Sequence, residues 1–278
     1  MIDRSQPVLI TGCSTGIGRA TAERLARAGL TVYATARRLE SLADLEQSGC
    51  RTLALDVTSE ESMRAAVAAV EESEGAVGAL VNNAGYSQNG ALERVPLDDV
   101  RRQFETNVFG LLRMCQLVLP GMRRRGAGRI VNISSMGGRF TFPGGGIYHA
   151  TKHAVEAISD AMRFEVQGFG VQVVVIEPGI IRSSFGETAA GSVHHDDGPY
   201  ARFNAAVAAA NATASDGPLG KLGGEPDDVA RVIEKAIAAR RPRTRYRVTA
   251  SARLLLTQRA LLPDRAWDFV VGTAFPRP

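Results

Sequence analysis

Val8-Leu9-Ile10-Thr11-Gly12-Cys13-Ser14-Thr15-Gly16-Ile17-Gly18 is the stretch from which the fold can be read. Val8, Leu9 and Ile10 form an unbroken apolar run, as in a short strand buried on both faces. Beyond the glycines, Ala22, Leu25 and Ala26 recur at helical spacing until Gly29 stops the pattern. Strand, glycine-rich turn and helix together make a cradle for an anion. Glycines admit close approach of backbone amides, and the helix N-terminus carries partial positive charge. The spacing is G-x-x-x-G-x-G, not the G-x-G-x-x-G of the common dinucleotide fingerprint. Functionally, Gly12, Ser14, Thr15, Gly16, Ile17 and Gly18 would line a phosphate; structurally, they are a tight strand-to-helix turn.

Working outward, the same alternation repeats. Thr31–Ala36 reads as a second strand, Thr52–Val57 as a third, Ala79–Asn82 as a fourth, Arg129–Ser135 as a fifth and Val171–Ile176 as a sixth. Arg245–Thr249 adds a possible edge strand, and helical patterns lie between the strands. This predicts an α/β fold, a single doubly wound parallel sheet of about seven strands with helices on both faces. The expected division is a core over 6–182, a loop-rich covering segment over 183–224 and a C-terminal extension over 250–278. Ligands of such sheets bind beyond the carboxyl ends of the strands. Gly12–Gly18, Arg37, Asp56, Val57, Asn83, Ala84, Gly85, Ser135, Pro178 and Gly179 all follow strand ends, so they should share one edge. In dinucleotide sites an acid about 20 residues past the glycines binds the ribose, whereas an arginine there suits a 2′-phosphate. Ala36 holds the acid's position and Arg37 follows it, which favours NADP(H) over NAD(H).

Composition limits the alternatives. The 278 residues are 45% hydrophobic and 22% charged, ordinary for a globular chain with a sizeable core. No run of about 18 apolar residues suggests an integral membrane segment, and no signal segment precedes Val8. Three widely spaced cysteines suit a reducing cytoplasm and argue against disulfides or a zinc site. The net charge of +4 is scattered. Its densest patch, Arg123-Arg124-Arg125, reads as a solvated loop without aromatic interleaving, so no nucleic-acid partner is expected. His194-His195-Asp196-Asp197 resembles metal ligands on paper, but neighbours in a loop seldom converge on one ion, and no metal is expected.

Tyr148 and Lys152 are four residues apart on a predicted helix and so share a face. A nearby ammonium favours the phenolate, so the pair can exchange a proton with an alcohol or carbonyl. Tyr-x-x-x-Lys also occurs on many solvated helices. A long helical region from about Pro96 to Met122 carries Asn107, a mediocre helix residue that hints at a backbone irregularity or a function.

In register, these motifs resemble the short-chain dehydrogenase/reductase family over nearly all of residues 6–250. Thr11-Gly12-x-x-x-Gly16-Ile17-Gly18 is similar to its nucleotide-binding turn and Asn82-Asn83-Ala84-Gly85 to its fourth-strand motif. Asn107, Ser135, Tyr148 and Lys152 fall where its catalytic tetrad lies. Pro178-Gly179-Ile180-Ile181-Arg182-Ser183 resembles its nicotinamide-contacting segment, with serine in place of threonine at Ser183. The wording of Thr11–Thr15, Tyr33–Arg37 and the tail resembles the 17β-hydroxysteroid and retinol dehydrogenase branch. The resemblance implies hydride transfer between nicotinamide and an apolar ketone, aldehyde or secondary alcohol. Tyr148 would pass the proton, Lys152 would lower its pKa and hold the nicotinamide ribose, and Ser135 would orient the substrate oxygen. Asn107 would support a water leading to solvent, and Asp56 would contact adenine. It also implies a homo-oligomer, dimer or tetramer. The competing readings are an NADP-binding regulatory protein without turnover and a membrane-surface protein held by its tail.

Overall fold

The computed structural model describes residues 6–194, 197–273 and 275. Seven strands, β1 (Val8–Ile10), β2 (Val32–Ala36), β3 (Arg51–Ala54), β4 (Ala79–Asn82), β5 (Gly128–Ile133), β6 (Val171–Pro178) and β7 (Arg245–Val248), form one sheet in the order β3-β2-β1-β4-β5-β6-β7. Every neighbouring pair is parallel. Side chains alternate across such a strand. Val8 and Ile10 therefore join one core while Leu9 joins the other.

The connecting helices are α1 (Gly16–Arg27), α2 (Ala43–Gln47), α3 (Glu60–Glu74), α4 (Leu97–Phe104), α5 (Leu111–Arg125) and α6 (Gly146–Val166), followed by α7 (Phe185–Gly191), α8 (Ala201–Ala212), α9 (Pro226–Ala238), α10 (Ala250–Leu261) and α11 (Asp264–Gly272). The first core packs α1 and α9 against the sheet through Ala22, Leu25, Val229, Ile233 and Ile237. The second packs α3, α5 and α6 through residues such as Met63, Val70, Met114, Val118, Val155 and Met162. A third, smaller cluster joins Phe140 to Leu255, Leu256, Trp267 and Val271, so the C-terminal extension folds back onto its own domain.

Three local expectations change. The third strand ends at Ala54, because Asp56 turns the chain: its Oδ1 accepts from the Thr58 amide at 2.9 Å and hydroxyl at 2.7 Å. Arg123, Arg124 and Arg125 are not loop residues. They form the last turn of α5, where positive charge suits the helix dipole, and Gly126 ends the helix at φ +68°. The long helix is broken by a π-helical turn over Glu105–Gly110, which contains Asn107. No helix among the described residues is long and apolar enough to cross a membrane.

Candidate active site

The strand order turns back on itself at β1, whose neighbours are β2 and β4. At that point of an open parallel sheet, the loops leaving the two strands diverge and leave a crevice. The glycine turn leaves β1 there and Asn82–Gly85 leaves β4. Backbone contact locks the two together. A Cβ on Gly12 would stand 2.8 Å from Ala84 Cα, and one on Gly18 would stand 2.3 Å from the Gly12 carbonyl oxygen. Gly16 differs: its φ of +59° suits glycine, yet a Cβ would meet nothing within 4 Å. The space over Gly16, flanked by exposed Ser14 and Thr15, is open. Thr15 is the N-cap of α1 but makes no side-chain capping bond, so the first amides of α1 remain for an anion. These residues fit a dinucleotide pyrophosphate.

Asn83 is half-buried and its amide donates to the carbonyls of Thr11 at 3.0 Å and Gly12 at 2.9 Å. Thr11 Oγ1 in turn accepts from the amides of Asn83 and Ala84, both at 3.0 Å. The donors of the Asn83 side chain thus shape the glycine turn. Arg37 stands exposed just past β2 and makes no ion pair among the described residues. Asp56 keeps Oδ1 in its own turn, and Val57 is buried against Gly110. On the far side of β5, Gly179 lies so close to Thr249 and Ser251 that a Cβ would stand 2.4 Å and 2.5 Å from their hydroxyl oxygens. Ile181 then pairs with Gly224, and Ser183 leads into α7.

The four residues expected to act together do converge. Asn107 is 1% exposed; its Oδ1 accepts from the Tyr86 amide at 3.1 Å, and its Nδ2 donates to the Tyr86 carbonyl at 2.9 Å and to Thr151 Oγ1 at 3.1 Å. A Cβ on Gly85 would lie 3.0 Å from Asn107 Oδ1 and 3.8 Å from Lys152 Nζ. Lys152 Nζ donates to the Ile133 carbonyl at 2.8 Å and sits 5.7 Å from the centre of the Tyr148 ring. Ser135 caps the short turn after β5 by accepting from the Gly137 amide at 3.0 Å, and its hydroxyl is near enough to the Tyr148 phenol to favour the phenolate.

The electrostatics differ from the expectation. Burial pushes the Tyr148 phenol up to about 12, although the residue as a whole is partly exposed, and Ser135 pulls only weakly the other way. Burial likewise pushes Lys152 down to about 8, opposed by the charge of Glu156. In the protein alone, therefore, desolvation outweighs Ser135 at the phenol and Glu156 at the ammonium.

Two features have no local signature in the sequence. His149 is 8% exposed, its Nδ1 lies 2.9 Å from the Gly137 carbonyl, and burial pushes it down to about 4. Because a carbonyl only accepts, Nδ1 carries the proton of this neutral imidazole. The His149 ring continues an aromatic wall that runs from Tyr148 (5.6 Å between centres) to Phe142 (6.1 Å), Trp267 of α11 (6.4 Å from Phe142) and Phe140 (5.2 Å from Trp267). The second feature is a polar clamp on the covering segment. Gln88 donates to the Ser192 carbonyl at 2.6 Å, Asn89 donates three bonds to the 189–192 turn, and Asn204 Oδ1 accepts from the Ala91 amide at 2.9 Å. His194 reaches Asp99 at 2.5 Å; His195 and Asp196 lie outside the described residues.

Comparison with known proteins agrees with this geometry. The family model for short chain dehydrogenase matches residues 6–191. An NADPH-dependent 3-dehydrocapnine reductase of Ornithobacterium rhinotracheale is 33% identical over 94% of each chain. Short-chain dehydrogenase/reductase family 9C member 7 of Bos taurus is 33% identical over 98% of this chain and 90% of its own. The crystal structure of a short-chain dehydrogenase from Streptomyces avermitilis superimposes with a TM-score of 0.81 at 36% identity, covering 96% of this chain and 97% of that one. With the parallel sheet, the turn at its switch point and the gathered Asn107, Ser135, Tyr148 and Lys152, these matches leave one assignment: the chain belongs to the short-chain dehydrogenase/reductase family.

Proposed function

We propose that this protein is an NADP(H)-dependent oxidoreductase acting on an apolar ketone, aldehyde or secondary alcohol, with Tyr148 as the proton donor or acceptor. The observation that carries this reading is the convergence of Tyr148, Ser135 and Lys152 beside the open glycine turn. When bound, a nicotinamide would supply or accept the hydride at the substrate carbon. The chain's own residues manage the oxygen. Ser135 hydrogen-bonds it and aims it at Tyr148, whose hydroxyl gives up a proton in reduction and recovers one in oxidation. With the phenol held high, Tyr148 starts protonated at neutral pH, which suits reduction. The Lys152 ammonium offsets the negative charge left on the phenolate and would hold the ribose, and Asn107 fixes the Tyr86 loop beside it.

Arg37 supports the choice of cofactor: a guanidinium without an ion pair among the described residues, with no carboxylate at Ala36, suits a 2′-phosphate. Asp56 would meet the adenine, and Pro178, Gly179, Ile181 and Ser183 would flank the nicotinamide. The aromatic wall from Tyr148 to Trp267 supports an apolar substrate, which makes 183–224 a substrate lid and the extension part of the pocket. The relative named for 3-dehydrocapnine reduction makes long-chain ketones a sensible first panel. Three buried, unpaired cysteines favour the cytoplasm. Exposed Phe109, Phe164 and Phe169 favour self-association as a dimer or tetramer.

The test is NADPH consumption over steroid, retinoid, quinone, long-chain ketone and small aldehyde substrates, followed by kcat/KM with each cofactor. NADPH should exceed NADH by roughly ten- to a hundredfold, the scale of one charge-assisted bidentate contact. A preference for NADH removes Arg37 from its role.

A further inference from the structure

A buried group of charges lies beneath α6, one helical turn beyond Lys152. Glu156 follows Lys152 by four residues and shares its face of the helix. Its side chain is 6% exposed and accepts from Arg245 Nε of β7 at 2.9 Å. Glu177 of β6 is 1% exposed and stands 3.6 Å from the same Nε and 3.7 Å from Arg247 Nε. Arg245 Nη2 also donates to Asp160 at 2.5 Å, and Asp160 accepts from Arg163 at 2.6 Å. Arg139, beyond β5, adds a weaker attraction for Glu177.

Three atoms in this group have no hydrogen-bond partner. Buried polar atoms almost always find one, yet Glu156 Oε1, Glu177 Oε2 and Ser134 Oγ have none. Glu156 and Ser134 are neighbours across Gly138, where a Cβ would lie 2.7 Å from Ser134 Oγ, 3.0 Å from Glu156 Cγ and 3.1 Å from the Lys152 carbonyl oxygen. Lys152 is 6% exposed, donates only to the Ile133 carbonyl and makes no ion pair among the described residues. An ammonium removed from water needs an opposite charge nearby to remain an ammonium. On α6 that charge is Glu156. Arg245 holds it in place, and burial together with the Glu156 charge pushes the Glu177 carboxyl upward.

We propose that Glu156 is a positioning residue for the proton-transfer pair: anchored by Arg245, its carboxylate keeps the buried Lys152 charged and aimed at the site. This rests on Lys152 being the partner of Tyr148, but the test reads Lys152 without turnover, so its failure is separate from failure of the enzyme reading. The chain has only three lysines, Lys152, Lys221 and Lys235. Labelling lysine with 13C at Cε gives three signals, and Lys152→Met identifies the one of interest. In the full-length protein its titration midpoint should lie near pH 8.

Glu156→Gln, which keeps the shape and removes the charge, should lower that midpoint by about one pH unit or more. Glu177→Gln should leave it in place. Glu156→Asp, which retracts the carboxylate, should lower it by a smaller amount, and it decides the question if the glutamine variant does not fold. A midpoint unmoved in folded Glu156→Gln overturns the proposal, as does an unmoved midpoint in Glu156→Asp where that variant stands alone. An equal fall in Glu177→Gln overturns the assignment to Glu156.

Discussion

The glycine turn and the covering segment lie on the same edge of the sheet but are held there in different ways. In the turn, backbone meets backbone: Gly12 against Ala84, Gly18 against the Gly12 carbonyl, with Asn83 tying both to β4. The covering segment is held by a few side chains, chiefly Gln88, Asn89, Ser192 and Asn204, reaching for main-chain atoms. The first arrangement has no slack, whereas the second can part a few hydrogen bonds and leave both surfaces intact. Under the proposed function, the turn would be a rigid cradle for the cofactor and the segment a separable cover for the substrate, as a two-substrate reaction requires.

That contrast can be broken at several points. The largest effect belongs to the chemistry the rigid edge supports. Tyr148→Phe should lower kcat by roughly 10²–10⁴-fold while NADP(H) binding, read by cofactor fluorescence, changes little; an unchanged rate removes Tyr148 from the mechanism. Gly18→Ala comes next. Its methyl must displace the Gly12 carbonyl and the Asn83 amide, 2.3 Å and 2.4 Å away, so thermal unfolding should show a loss of about 1–3 kcal/mol together with weakened cofactor binding. A normal melting curve in that variant means the turn is softer than described.

The wall between the two regions is sensitive to acid. His149 is held at about 4 when folded against 6.5 as its ordinary value. Between those limits the unfolded chain binds more protons, so stability falls as pH drops from about 6.5 to 4, by about 3 kcal/mol in all. Denaturant titrations across that range should show the loss, and His149→Asn should flatten it. The smallest effect is expected in the clamp. Ser192→Ala removes bonds to Asn89, so it should lower stability by only about 1 kcal/mol. Its main consequence should be a changed KM for substrate with cofactor affinity untouched. A loss of cofactor binding in this variant would show that the two regions are not separable.

Much of this was legible in the chain because it is local. Runs such as Val171–Ile176 announce a strand buried on both faces, and the glycines of the first turn are adjacent in sequence. Asn107 stood out as a poor helix residue, and the π-helical turn is the irregularity it hinted at. What escaped depends on partners far away along the chain. Glu156 meets Arg245 89 residues later, and Asn89 meets Ser192 103 residues later, with no periodicity to announce either. Asp56 looked like the end of a strand because its neighbours are apolar, but its short carboxylate captured the next amide and turned the chain. The expected depression of the Tyr148 pKa failed for a different reason: spacing shows which charges are near, but not how much water the fold removes.

The strand order also bears on how the chain is made. After β4, each new strand lies on the edge left by its predecessor: β5 on β4, β6 on β5, β7 on β6. During synthesis from the N-terminus the sheet can therefore lengthen in one direction without reopening. The glycine turn and Asn83 can lock once β4 has emerged, and Tyr148 and Lys152 arrive with the helix that follows β5. Arg245, which holds Glu156, comes only with β7. The binding half of this protein can thus be ready on the ribosome well before the buried charges behind its lysine are complete, and a chain stopped short of β7 should capture cofactor before it can catalyse.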